Sequence, residues 1–375
     1  MGGIYIHIPF CKHKCLYCDF YTGGHRIANW ELFVDCLIRE LRWRINELNF
    51  LPDTLYIGGG TPSLIPPSEF SYLISSIKSI TGIHSWKEFT LEVNPEDVSH
   101  DNLKIWKENG VNRISMGIQS LHDKELKGSG RYHNSITALK ALKLLNEYFD
   151  NISVDVMFGL PFQNNETYTD TLNRLLDFSP SHISAYSLML EEGTPMSLLV
   201  EKGKINLPDE KEWLKMFETT HNLLTQKGYL RYEISNYSLP GKKSMHNSFY
   251  WRGEPYLGLG PGAHSYDGEY LRKANPNDIK GYLKHFSSQI HEHFYLEENL
   301  SDDELCEEII MTRLRTVKGL DLNEFSKQFG IRQSEILLQK ASKYLISGQL
   351  KKESDFLFLS HDGFLIYNTI VSDLF

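Results

Sequence analysis

A chain of 375 residues, 41% of them hydrophobic, is long enough to bury a full core and to divide into one large unit and smaller ones. Its formal charge of −9 argues against a phosphate backbone as main partner, because such proteins carry an excess of Lys and Arg, so nucleic acid is not expected. Five cysteines, three of them packed into eight residues, do not form a disulfide framework; with no apolar run of membrane-spanning length, the expectation is a cytoplasmic protein whose membrane contact is at most peripheral.

From Ile4 to about Tyr186, short apolar runs alternate with longer helical patterns: IYIHI, TLYIGG, FTLEV, NRISMGI, ISVDVMFGL and HISAYSL recur roughly every 30 residues. Strands interleaved with helices form a parallel sheet, and right-handed crossovers place every strand's C-terminal end on one side. Six units predict an α/β fold, a partial parallel (β/α)6 barrel. The segments after the strands, where such a barrel carries its chemistry, are CKHKCLYC, GGGTPS, NPED, QSL and GLP.

After Tyr186 the rhythm changes to a helix-like stretch from about Asp209 to Lys227 and then the run YEISNYSLPGKKSMHNSFYWRGEPYLGLGPGAHSY. From about Leu300, three helical patterns, the hairpin LKKESDFLFLSHDG and a final short helix form a C-terminal α+β extension with a small winged-helix-like module. Its charges are mixed (Asp302, Asp303, Glu304, Glu307, Glu308), which suits packing or protein contact rather than nucleic acid. The expected division is 1–230 for the barrel core, 231–299 for an extension packing on the barrel, and 300–375 for the C-terminal module.

Cys11, Cys15 and Cys18 follow the first strand at the spacing C-x3-C-x2-C. Three thiolates are one short of a closed tetrahedral site, which leaves two readings. A nearby histidine (His7, His13 or His25) completes a structural zinc site, or the three hold a 4Fe–4S cube whose fourth iron is left to chelate a small molecule. Cys36 and Cys306 lie in helical patterns and read as inert buried thiols.

This spacing, with the aromatic Tyr17 before the last cysteine, resembles the radical S-adenosylmethionine enzymes. IYIHIPFCKHKCLYCDF, IGGGTPS, LEVNPED, RISMGIQSL, GRYH and DVMFGLP resemble, in order, the oxygen-independent coproporphyrinogen oxidase family, and the similarity runs from Tyr5 to the C-terminus. The resemblance implies a 4Fe–4S cluster on Cys11, Cys15 and Cys18 with S-adenosylmethionine on its open iron. Gly59, Gly60 and Thr61 would let the backbone reach the methionine amino group, Glu92 would contact the amino group and ribose, and Tyr5, Gln119, Arg131 and Asp155 would line the same pocket. Taken singly, each has a plainer reading: a tight turn, a loop cap, a surface charge.

Two groups of that family differ in activity. The oxidase group carries a fourth cysteine, C-x3-C-x2-C-x-C, and an extension before its first strand; here Phe20 stands at that position and the sequence enters the strand at Gly3 or Ile4. The haem chaperones of the HemW type carry H-N-x-x-Y-W, matched by HNSFYW from His246 to Trp251. A neutral imidazole is a good axial ligand for haem iron and aromatic rings shield the macrocycle, so His246, Tyr250 and Trp251 are expected to contact haem. On the residues alone the favoured reading is that the motif closes a loop with its aromatics in the core, and it is the resemblance that turns the expectation to haem. Where a cysteine often stands shortly before the His–Asn pair, this sequence has Ser244 or Met245. The resemblance implies haem as cargo, acceptors among haem proteins such as respiratory enzymes, transient membrane contact and a cluster-dependent homodimer. The alternative is the oxidase itself, which decarboxylates coproporphyrinogen.

Overall fold

The computed structural model describes residues 1–22, 29–288 and 294–375; His25, considered above as a zinc ligand, lies outside the described residues. Six strands, β1 (Gly3–Ile8), β2 (Thr54–Gly59), β3 (Glu88–Val93), β4 (Arg113–Gln119), β5 (Ile152–Phe158) and β6 (His182–Ser187), run parallel and neighbour one another in chain order. The crossovers carry α1 (Trp30–Arg44), α2 (Pro67–Thr81), α3 (His100–Glu108), α4 (Asp123–Gly128), α5 (Ser135–Leu145) and α6 (Asn165–Leu176). Helix starts are set locally: Asn29, Ser99, Asn134 and Asn164 each accept a backbone N–H of the first turn.

The strands alternate, and the alternation divides the molecule. Ile4, Ile6, Ile8, Leu55, Ile57, Phe89, Leu91, Ile114, Met116, Val154, Val156 and Ile183 face the helices and join one continuous core with Phe33, Leu37, Phe70 and Leu142. The opposite face is polar: Tyr5 pairs with Tyr56, Thr54 with Glu88, Thr90 with Arg113, Glu92 with Ser115, Gly117 with Asp155, and Ser153 with His182. Each outward aliphatic contributes about 1.5–3 kcal/mol by burial, while each polar side chain of the lumen needs a partner to avoid a comparable penalty.

The six-stranded sheet does not close, so both edges present unpaired backbone groups. The 231–299 segment extends the sheet at both edges. After α7 (Pro195–Glu201) and α8 (Glu210–Gln226), β7 (Leu230–Arg231) and β8 (Asn236–Ser238) lie beyond β6, with β8 antiparallel to it. Beyond α9 (Met245–Trp251), β9 (Tyr256–Leu259) pairs in parallel with β1, and β10 (His264–Tyr266), β11 (Leu271–Ala274) and β12 (Leu296–Asn299) continue antiparallel, giving twelve strands in all. α10 (Ile279–Ser287) packs on α1.

α1 anchors this edge through a buried carboxylate. Glu40 is wholly buried and accepts from Gly260 N (2.8 Å), Asn275 Nδ2 (2.8 Å) and the Tyr282 hydroxyl (2.7 Å). Beside it, Arg44 donates to Gly258 O at 2.9 Å and Ser265 Oγ at 3.1 Å.

The C-terminal module has α11 (Asp302–Leu314), β13 (Leu320–Asp321), α12 (Leu322–Phe329) and α13 (Ile331–Ile346), then the hairpin β14 (Leu350–Glu353) and β15 (Phe356–Leu359). β13 adds a third strand to the hairpin, and two short helices, α14 (His361–Leu365) and α15 (Tyr367–Leu374), follow where the sequence predicts one; Ile366 between them leaves helical backbone at φ −115°. The module is fastened by Arg315, whose Nε is 2.7 Å from Glu233 Oε2 and whose guanidinium lies over the Trp251 ring. Among the described residues, no helix is long and apolar enough to cross a membrane.

Candidate cofactor site

A cavity of ≈ 420 Å³ lies at the C-terminal ends of β1 to β6, and the loops after successive strands build its walls. The loop after β1 brings Cys11, Cys15 and Cys18 to one wall, with Tyr17 hydrogen-bonded to Cys15 beside them. Burial pushes the Cys11 and Cys18 thiols up, against hydrogen bonds from Thr61 and the Phe20 backbone, so a metal that binds there displaces protons. No three His, Cys, Asp or Glu side chains among the described residues are gathered as one metal ion would need. Three thiols spread around a shared cavity suit the separated corners of an iron–sulfur cube.

Polar groups brace this loop from behind. Arg131 donates to Asn94 Oδ1 at 2.8 Å and Gly117 O at 2.5 Å and lies 3.5 Å from Cys15 Sγ. Asn94 Nδ2 donates in turn to Thr61 Oγ1 at 3.2 Å. The glycines after β2 are required by closeness: a Cβ on Gly60 would stand 2.6 Å from Phe10 O and 2.9 Å from Cys11 Sγ, and Gly59 has a φ of +108°.

The cavity floor is acidic. Glu92 accepts from the Tyr56 hydroxyl at 2.7 Å and from Gly59 N at 3.0 Å. Burial, with Asp155 adding to it, still holds this carboxyl at a pKa of about 7. Burial raises Asp155 as well, although Ser184 and Ser115 hydrogen-bond to it. Two carboxyls facing one cavity, both harder to ionise there than in water, are stabilised in their charged form by a bound cation. Gln119 completes the wall from a left-handed backbone, φ +68°, at the irregularity that ends β4; its buried Oε1 has no hydrogen-bond partner among the described residues. An orphaned acceptor on a strained backbone is what a bound ligand would satisfy.

Four expected site residues lie elsewhere. Tyr5 is one layer deeper in the lumen: its hydroxyl bonds His7 Nδ1 at 3.0 Å, and its ring packs 5.9 Å from Tyr56. His246, Tyr250 and Trp251 lie at the opposite, N-terminal end of the strands. Glu88, the first residue of β3, caps α9 by accepting from Met245 N at 2.7 Å and His246 N at 2.9 Å. His246 is then buried against Gly3, with Nδ1 2.7 Å from Thr54 Oγ1 and Nε2 2.9 Å from the Tyr250 hydroxyl. Burial, reinforced by Arg113, pushes its pKa down to about 3. Both ring nitrogens of His246 are engaged in this structure, Tyr250 is held by one of those bonds, and Trp251 lies under Arg315.

His246→Ala is accordingly expected to cost about 2–4 kcal/mol through a cavity and two stranded hydroxyls, read as a lower urea midpoint at unchanged slope. In the native protein the depressed imidazole contributes stability above its ordinary value of 6.5 that is lost as pH falls toward about 3, and the variant should lack that part of the acid sensitivity.

Comparison with known proteins agrees with this architecture. Residues 5–175 match the Radical SAM superfamily model, and residues 300–366 match the HemN C-terminal domain. The heme chaperone HemW of Bacillus subtilis is 33% identical over 99% of this chain and 98% of its own length. The chain belongs to the HemW family. The HemW of Escherichia coli is 31% identical over 98% of this chain and 96% of its own length, and that of Haemophilus influenzae is 35% identical over 89% and 87%. In fold, the chain is similar along its whole length to the coproporphyrinogen III oxidase (HemN) of Escherichia coli, described as a radical SAM enzyme, with a TM-score of 0.85 at 21% identity and 89% of that chain covered. Membership of the HemW family, and so of the radical SAM superfamily, implies a 4Fe–4S cluster and S-adenosylmethionine, and the thiols, the acidic floor and the orphaned Gln119 oxygen fit them.

Sequence reasoning passed over Asn94, Tyr56 and Arg113. Asn94 stood in plain view in NPED; the other two were signalled by the polar–apolar alternation of TLYIGG and RISMGIQ.

Proposed function

We propose that this chain binds haem and hands it to acceptor haem proteins, on a scaffold in which Cys11, Cys15 and Cys18 hold a 4Fe–4S cluster and Gly59, Gly60, Thr61, Glu92, Gln119, Arg131 and Asp155 hold S-adenosylmethionine. End-to-end likeness to haem chaperones carries the reading. Phe20 supports it: at the position of the oxidase's fourth cysteine, it is a hydrophobic side chain 62% exposed at the cavity mouth.

The bound cluster and S-adenosylmethionine would supply one-electron chemistry. The chain's own residues set the conditions for that pair. Glu92 and Asp155 would receive the cationic end of the cofactor, the Gly59–Gly60 backbone would admit its amino group, Gln119 Oε1 would be open to accept from it, and Arg131 would offset the charge of the cluster ligands. The cysteine usage suits a reducing cytoplasm, with acceptors that include respiratory haem proteins reached by transient membrane contact, and with a dimer whose formation follows cluster loading.

The test uses anaerobically reconstituted protein. Titration with haem should give a saturable Soret change, and the loaded protein should activate an apo-haem enzyme. With coproporphyrinogen, S-adenosylmethionine and a reductant, no protoporphyrinogen should form; its catalytic formation would establish the oxidase instead.

A further inference from the structure

We infer that Glu96, held by His133, is a positioning residue for the cluster: through one buried water it fixes the third corner of the Arg131 guanidinium and so keeps that group against Cys15. This rests on the iron–sulfur reading of the cysteine loop and adds two side chains that are not among those lining the cofactor cavity.

Three buried atoms point to it. Arg131 Nε, Glu96 Oε2 and His133 Nδ1 are closed off from solvent, and none has a hydrogen-bond partner among the described residues. Orphans of this kind are few in a folded protein, and three so near one another need a common explanation. Direct pairing is too long, since Glu96 Oε2 stands 3.6 Å from His133 Nδ1. There is room for a bridge. A second cavity, of ≈ 20 Å³, lies behind the cysteine loop with Lys12, Cys15, Asn94, Glu96, Asp97 and Arg131 in its walls, and one water needs about 10–15 Å³ and two or more polar partners. A water there accepts from Arg131 Nε and donates to Glu96 Oε2.

Loops after successive strands build the arrangement. Glu96 lies in the turn Pro95–Asp97 after β3, and its neighbour Asp97 accepts from Lys12 Nζ at 2.6 Å and Ser63 Oγ at 2.8 Å, which ties that turn to the residue beside Cys11. His133, 5% exposed, donates from Nε2 to Ile118 O at 3.1 Å, and this turns Nδ1 toward Glu96. Burial raises the Glu96 carboxyl, but His133, its own backbone N–H and Arg131 outweigh burial and hold it below its ordinary value, so an anion faces the guanidinium. Arg131 donates to both Asn94 Oδ1 and Gly117 O through Nη2, and only Nη1 reaches Cys15 Sγ, at 3.5 Å. A rigid fork held at one corner can swing, and the bond at Nε stops it.

The potential of an iron–sulfur cluster follows net charge and hydrogen bonds to its sulfurs. When Glu96 is neutralised, two effects compete: loss of its charge raises the potential, and the swing of the guanidinium away from Cys15 lowers it. The nearer charge dominates, so positioning and mere charge predict opposite signs.

The experiment is an anaerobic redox titration of reconstituted wild type, Glu96→Gln, Glu96→Asp and His133→Gln, with iron and sulfide counted and urea midpoints measured for each. Glu96→Gln should lower the cluster's potential, by up to about tenfold in the reduction equilibrium or about 59 mV for one electron. His133→Gln should lower it less, and Glu96→Asp, which keeps the charge, should recover part of the shift. An unchanged or raised potential in Glu96→Gln overturns the inference even where its urea midpoint falls, because a merely structural role moves stability alone. Should Glu96→Gln hold no cluster, the sign of the shift in His133→Gln decides in the same way. A wild-type protein that takes up no iron and sulfide overturns the iron–sulfur reading instead.

Discussion

Glu92→Gln is expected to abolish a pH dependence of S-adenosylmethionine binding that the native carboxyl imposes. Burial first, and Asp155 second, hold Glu92 at about 7 despite the hydrogen bonds from Tyr56 and Gly59. Below that value the carboxyl carries a proton that a cationic ligand must expel, so native affinity should climb with pH and level off above it. Each unit allows up to tenfold, so the gain from pH 5 to pH 8 should be on the order of 100-fold. Glutamine neither gains nor loses that proton: its affinity should be lower at pH 8 and change little down to pH 5. Calorimetry at pH 6 in two buffers of different ionisation enthalpy reads the proton released; equal release by native protein and variant would sink the assignment.

The same carboxyl makes an opposite prediction for the ligand-free protein. Its folded pKa is raised above the ordinary 4.5, so its contribution to stability is fully present below 4.5 and lost as pH rises to about 7. The loss is on the order of 3 kcal/mol at most, reduced by whatever water reaches the cavity. The Gln variant should therefore be the more stable protein at pH 8, stability exchanged for ligand binding.

The second large effect is expected far from the cavity. Glu40→Ala removes the acceptor of three donors from the β9–α10 segment and one of the two carboxylates beside Arg44, which keeps Glu47 at 3.1 Å. Three buried donors left without their acceptor cost on the order of 3–5 kcal/mol together. A urea midpoint within error of the native one would show that the edge is held by its strands alone. Glu40→Gln, which keeps the shape and one acceptor, should fall between.

These two residues show what a sequence displays and what it hides. The cysteine loop and GGGTP were legible because their chemistry is carried by neighbours in the chain, and a Cβ on Gly60 meets Cys11 only because those two loops follow adjacent strands. The six strands were legible as apolar runs. Their inward residues were harder to see, because a lumen lined by Tyr5, Tyr56, Glu92, Arg113 and Asp155 breaks each run only at alternate positions. Glu40 reads as one acid on an amphipathic helix; its partners Gly260 and Asn275 are more than two hundred residues away. The motif at His246 was recognised, yet nothing local says which end of the barrel it reaches. Thr54 and Glu88, which hold it there, open β2 and β3.

The position of β1 also orders events in time. It lies between β2 and β9, so one of its edges can be paired only after Tyr256–Leu259 has been made. At about 5–20 residues per second, the nascent chain holds that edge open for roughly 10–50 s. The strand that leads into the cysteine loop therefore waits for a neighbour made long after it, and that edge needs protection until then.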